Sequence, residues 1–283
     1  MTARPAPTAR RIRLATELRK MRERAGMTST EAARTLGTSQ GQLSNVEVAR
    51  FGVSPDRIRS LARLYSCPDH AFVEALVEMA TDKTRGWWEA FRDILPTKLL
   101  DLAEIEHHGT RLHAAHSMHI PGLLQTVDHA REIYRQAVPE MSPSEIEHRV
   151  SFRAKRQAVL YRDHAVPYRA VIHEAALRMK FGGRNVTRAQ LEHLLKVSDH
   201  DHVSIRVIPF DAGSYPGSGQ SVYFMCGPVP ALDTAQLDQD HGPVFVDSEA
   251  QLAQYRLLID RMESVSLSRA DSQDLIHAIA QHL

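Results

Sequence analysis

The sequence predicts a multidomain chain, an all-α head followed by an α+β body with a largely antiparallel sheet. Three observations carry that expectation. Capped segments with apolar residues at helical spacing fill the first 80 residues. Later, short runs of β-branched or alternating residues lie between Gly, Pro and Asp breaks, several in close succession. Charge is divided as well: residues 1–66 hold 13 Arg and Lys against 5 Asp and Glu, a formal +8. The rest hold 22 against 29, a formal −7, which the total of +1 conceals. At 283 residues and 43% hydrophobic, the chain has room for a small head and one larger domain.

The head is expected over residues 1–80, opened by a basic arm that carries Arg4, Arg10, Arg11 and Arg13. An Arg-rich end on an acidic body argues for a polyanion bound at that end only. Arg4 reads as part of a solvated tail. Between Met27 and Glu47, two short helices are joined by a tight turn. Thr28 is a good N-cap, and Glu31 three residues on completes a capping box. Ala32, Ala33 and Leu36 allow close packing, and Gly37 ends the helix where positive φ is commonly required. Thr38-Ser39 start the second helix, which turns Leu43 and Val46 inward and Gln40, Gln42, Ser44 and Asn45 outward. A merely soluble helix would carry Glu, Lys and Arg on that side. Amides at an exposed helix start suit base edges in a major groove, because Asn and Gln pair bidentately with adenine. Ser54-Pro55 opens a further helix bearing Ile58, Leu61, Ala62, Leu64 and Tyr65. Another, over about 68–80, bears Phe72, Val73, Leu76 and Val77. Residues 81–86 lack apolar periodicity and read as a linker.

Residues 12–66 resemble a helix-turn-helix domain of the XRE class, related to the lambda and Cro repressors. Leu18-Arg19, Gly26-Met27-Thr28, Ala33, Leu36-Gly37 and Ser44 to Glu47 carry the resemblance. It implies that Gln40, Gly41 and Asn45 occupy base-reading positions and Ser29 and Gln42 phosphate-contacting ones. Thr38, Ser39, Ser44, Arg50, Arg10 and Arg11 complete the candidate DNA-binding set. The sequence departs from the family pattern at Ala32, where a larger apolar residue is usual, at Gly41, and at Val48-Ala49, where a polar turn with Gly is common. Gly41 costs about 1 kcal/mol relative to Ala within a helix. It either permits close approach to DNA or contributes no contact. The implied partner is double-stranded DNA, bound by a homodimer whose recognition helices lie one duplex turn apart.

The body is expected over residues 87–283. Trp87-Trp88 and Phe91 open it, as a stacking platform for a ligand or, with more weight, as packing. Helices are expected near 98–108, 121–136, 143–163, 187–197, 248–265 and 268–282. Strands are expected at Leu112–His116, Tyr168–His173, Val203–Pro209, Gln220–Met225, Ala231–Leu237 and Pro243–Val246. Their crowding late in the chain favours antiparallel pairing, with helices on one face.

Residues 86–283 resemble a C-terminal domain found behind XRE heads in many actinomycete regulators. Ile120 to Thr126 (IPGLLQT), Arg153 with Arg156-Gln157, Glu174 to Leu177, and Val207 to Phe210 with Ala212-Gly213 carry this second resemblance. It implies an antitoxin-like or developmental regulator whose C-terminal half binds a small acidic partner protein or a small-molecule effector. Read from chemistry, Pro121 suits a first helical turn, and Gln125 and Thr126 remain to bond. A helix start with free N–H groups suits an anion, while buried polar bonds at a packed helix start are the plainer alternative. Arg153 and Arg156 either clamp a carboxylate or form surface ion pairs with Glu145 and Glu147. Gln125, Thr126, Arg153, Arg156 and Gln157 are thus the candidate partner- or ligand-binding residues.

Catalysis finds little support. His107, His108, His113, His116 and His119 form one dense group and His200 and His202, with Asp199 and Asp201, another. Neither has HExxH spacing, and no catalytic or metal-binding residue is assigned. The Gly213–Gly219 loop is not followed by a helix, so a phosphate-binding role is weak. No nucleophile context is visible, and no enzyme activity or cofactor is expected. Two distant cysteines, Cys67 and Cys226, no apolar run near 20 residues and no signal peptide place the chain in the cytoplasm, at the nucleoid and off the membrane. The expected function is a sequence-specific DNA-binding transcriptional regulator. The alternative is an antitoxin-like module that sequesters a partner, with DNA binding secondary.

Overall fold

The computed structural model describes residues 7–82, 84, 86–239 and 242–283. Two compact units emerge, one comprising residues up to 90 with 100–105, the other 91–99 with 106–283. Arg4, and Lys83 and Arg85 of the expected linker, lie outside the described residues.

The first unit holds helices α1 (Ala9–Arg24), α2 (Ser29–Thr35), α3 (Gln40–Glu47), α4 (Pro55–Leu64) and α5 (His70–Thr81). Leu18, Ala33, Leu43, Ile58, Leu61 and Leu76 fill its core. Ala32 is fully buried, so its small side chain marks a close approach of α2 to its neighbours. The expected arm is corrected here: from Ala9 onward the chain is helical, because Thr8 caps α1 and Leu14, Leu18 and Met21 give it a buried face. Arg10, Arg11 and Arg13 are helical residues, and two of them serve the fold. Arg10 pairs with Asp82 at 3.2 Å, and Arg13 is buried against Glu17 at 2.8 Å.

α1 to α4 end alike. The residue after each C-cap has positive φ (Gly26 68°, Gly37 63°, Ala49 61°, Ser66 51°), and the next N–H reaches back five residues. Those bonds are Met27 N to Arg22 O, Thr38 N to Ala33 O, Arg50 N to Asn45 O and Cys67 N to Ala62 O, all 2.9–3.2 Å. Each satisfies carbonyls that the helix end would leave open. Ala49 and Ser66 hold this conformation without glycine's freedom.

Trp88 is buried in the first unit, edge-on to Trp87 at 6.0 Å. A Cβ on Gly86 would lie 2.1 Å from its indole, so Gly86 is required by that packing. Both tryptophans fall within the first unit. Phe91 belongs to the second, edge-on to Phe152 at 5.1 Å.

α6 (Thr97–His108) precedes a six-stranded sheet of β1 (Arg111–His116), β2 (Tyr168–His173), β3 (Val203–Ile208), β4 (Val222–Cys226), β5 (Thr234–Leu237) and β6 (Val244–Val246). The strand order is β3-β2-β1-β4-β5-β6. β1 and β3 both run parallel to β2, while β4 is antiparallel to β1, β5 to β4 and β6 to β5. The sheet is therefore mixed: among the described residues three pairings are antiparallel and two parallel, so the expected antiparallel character holds in part. The cause is connection length. α7 (Val127–Arg135) and α8 (Pro143–Arg156) separate β1 from β2, and α9 (Glu174–Arg178) and α10 (Gly183–Ser198) separate β2 from β3. Crossovers of that length return the chain to the same end, whereas short late links reverse it. α11 (Glu249–Val265) and α12 (Arg269–Gln281) follow. Successive residues Ala170, Val171 and Ile172 are all buried, so both faces of the central strands are covered rather than one.

Two expected helices are shorter. Residues 121–136 form a 3-10 turn, Gly122–Leu124, before α7, and the 143–163 segment leaves α-geometry after Arg156 in a 3-10 turn, Gln157–Leu160. α9 was not expected; the His173 ring caps it, accepting from Ala175 N–H at 3.2 Å.

Candidate functional site

In the first unit, the capping box at Thr28 and the Ser39 cap start α2 and α3. Gln40, Gly41 and Gln42 are exposed on the first turn of α3, and Ser44 and Asn45 are half-buried one turn on. Gln40 donates to Ser29 Oγ at 3.3 Å, and Thr38 donates to the Gln42 carboxamide oxygen, so the amides are pre-positioned by hydroxyls. The Asn45 side chain makes no hydrogen bond to the described residues. A Cβ on Gly41 would meet nothing within 4 Å, so no packing demands glycine. Ser39 is exposed and Thr38 half-buried. Arg11 and Arg50 are exposed, whereas Arg10 is held by Asp82 and fits a contact set less well.

This ridge is fixed from beneath. Arg22 of α1 grips Glu47 of α3 bidentately, at 2.7 and 2.9 Å, and donates to Met27 O at 2.8 Å, all out of solvent. Hydrogen bonding to Glu47 raises the Arg22 pKa further. Nearby, burial pushes the Tyr65 hydroxyl up to about 12, and its oxygen has no hydrogen-bond partner among the described residues.

In the second unit the IPGLLQT segment is a polar knot. Gln125 donates to Ile120 O and Gln157 to Gln125 O, both at 2.6 Å. Thr126 caps α7, accepting from His129 N–H, while its own N–H donates to Gln190 Oε1 at 2.7 Å. Gln190 in turn donates to Leu124 O at 2.7 Å. Arg153 donates through Nη1 to Gln125 Oε1 and stacks over Tyr134, 4.6 Å from its centroid. The five candidate residues thus meet in space, but their tasks differ. Arg156 is committed to Glu106, at 2.6 and 2.8 Å and buried, which removes it as a free clamp. Burial alone would depress its pKa, and the Glu106 charge outweighs that and raises it. Burial depresses Arg153, which has no carboxylate within ion-pair distance among the described residues. Neither arginine pairs with Glu145 or Glu147: the first completes the Ser142 cap, and the second binds Arg131 at 2.6 Å.

Glu106, Gln190, Tyr134 and His129 were not anticipated. Glu106 looks like a helix-surface carboxylate, and nothing local links it to an arginine 50 positions later. His113 and His116 project to opposite faces of β1, as strand alternation requires. Among the described residues no group of three His, Cys, Asp or Glu has metal-holding geometry. Nor is any described helix long and apolar enough to cross a membrane.

Comparison with family profiles returns two matches: one described as "Helix-turn-helix domain" over residues 13–75, and one described as "Domain of unknown function (DUF5753)" over residues 99–278. Comparisons with curated proteins and with solved structures gave no match.

Proposed function

The chain belongs to the DUF5753 family, and from that membership and its helix-turn-helix domain we propose that it is a sequence-specific transcriptional regulator of the XRE class. The observation that carries this reading is the uncharged amide ridge of α3, with Gln40 exposed on the first turn and Asn45 half-buried one turn on, braced by the buried Arg22–Glu47 pair. A helix that reads base edges needs amides at its start and a rigid base, since loose donors discriminate poorly. The protein acts as a homodimer, with two recognition helices about 34–36 Å apart on one face of the duplex. The second unit serves as the sensing half rather than as a catalyst.

An antitoxin-like factor that sequesters a small acidic partner is the second reading. The formal charge of −7 on residues 67–283 opposes such a partner, so a small-molecule effector is favoured. Asn45→Ala is expected to weaken operator binding by about 1–3 kcal/mol and to leave binding to random duplex nearly unchanged. Fluorescence anisotropy on both DNAs reads this. Equal losses on the two would remove base reading from α3.

A further inference from the structure

We propose that Gly122, Arg153 and His129 form a binding site for a small carboxylate in the second unit, which names the effector class for the sensing half described above. The proposal rests on that reading and on four observations. First, the Arg153 guanidinium is held at one end only: Nη1 donates to Gln125, while Nε is buried with no partner. Second, the His129 ring is 1% exposed, and both its nitrogens are buried without a hydrogen bond among the described residues. Buried polar atoms in native folds are nearly always satisfied, and a cluster of exceptions marks an absent partner. Third, the free edge of Arg153 faces a glycine. A Cβ on Gly122 would sit 3.7 Å from Nε and 3.8 Å from Cζ, so the missing methyl leaves a methyl-sized gap against that buried edge. Fourth, the site lies one ring from the surface: His119 is exposed, and the Phe181 ring lies 5.2 Å from it and 5.4 Å from His129.

The charges select the ligand. Glu106 is consumed by Arg156, and Asp238 is the remaining carboxylate whose charge acts on Arg153, His116 and His119. One guanidinium edge plus an imidazole N–H matches a single carboxylate, which accepts two parallel hydrogen bonds and brings one negative charge. A phosphate would bring a second charge into a buried space where Asp238 already acts on the one cation, which is costlier than a single charge.

The test uses the full-length protein and histidine Cε1–H NMR signals, with the His129 signal assigned by its loss in His129→Gln. Acetate and benzoate are titrated at constant ionic strength, with inorganic phosphate as the contrasting arm. Saturable movement of the His129 signal by a carboxylate, absent with phosphate, is the expected result. Gly122→Ala adds a methyl without a clash, keeps the fold, and is expected to weaken binding about tenfold or more by covering Nε. Arg153→Met is expected to abolish it. Shifts that stay linear in concentration, that are equal in Gly122→Ala, or that phosphate reproduces would overturn the proposal. Operator binding by wild type and Asn45→Ala is read in a separate assay. A failure here with intact operator discrimination sinks the site alone, and a loss of discrimination sinks the regulator reading itself.

Discussion

Two positions in the head carry the residue that their neighbours' roles would exchange. Gly41 lies in the first turn of α3 with open space around its missing Cβ, and Ser66 sits exposed at φ 51° past the end of α4. Gly41→Ala and Ser66→Gly are both expected to raise head stability by up to about 1 kcal/mol, the first through helix propensity and the second through relief of a left-handed side chain. Urea midpoints would show it; an unchanged midpoint for Gly41→Ala would mean that the first turn of α3 is frayed. Much at this scale was legible in advance. Thr28, Glu31, Gly37 and Ser39 take the capping roles their types suggest, because caps depend on three or four neighbouring residues. Ala49 and Ser66 were not legible as left-handed positions, since no glycine marks them.

Between elements, the Arg22–Glu47 pair is the tie that matters to the ridge. Glu47→Ala leaves the Arg22 guanidinium with only the more distant Glu23, at 3.9 Å, and the Met27 carbonyl, and is expected to cost about 3 kcal/mol. Against a typical domain stability of about 5–15 kcal/mol, that is a large share. Chemical denaturation followed by circular dichroism reads the loss. Restoring stability with the double change Arg22→Met, Glu47→Leu would show that the cost lies in the orphaned charge, whereas a simple sum of losses would contradict it. Such pairings were invisible in the sequence: 25 positions separate Arg22 from Glu47, and 50 separate Glu106 from Arg156. The strands themselves were legible from β-branched runs. The parallel half of the sheet was not, because strand direction depends on where long crossovers deliver the chain.

For the whole molecule, acid is expected to act through the body's histidines. Burial lowers His113, His116 and His129 to about 4, so each is neutral in the folded chain near pH 7. The unfolded chain takes up those protons near pH 6.5, and the folded chain does not until about pH 4. Between those limits unfolding binds protons, so stability falls as pH falls, by up to about 1.4 kcal/mol per pH unit for each histidine. The thermal midpoint of the second unit should drop between pH 7 and pH 5; a flat profile would refute the burial of these rings. The charge division that pointed to DNA was legible from composition, yet the usable positive charge is smaller than +8 suggests. Arg10 and Arg59 are paired with Asp82 and Glu74, two carboxylates of the head that lie beyond residue 66 and are not counted in that sum.

The position of β1 at the middle of the sheet has a consequence for synthesis. Its parallel neighbour begins at Tyr168 and its antiparallel neighbour only at Val222, whereas every segment of the head has been made by residue 105. A chain growing from the ribosome therefore completes its DNA-facing half well before β1 acquires both companions. Over that interval one side of β1 presents unmet amides and carbonyls to any passing strand.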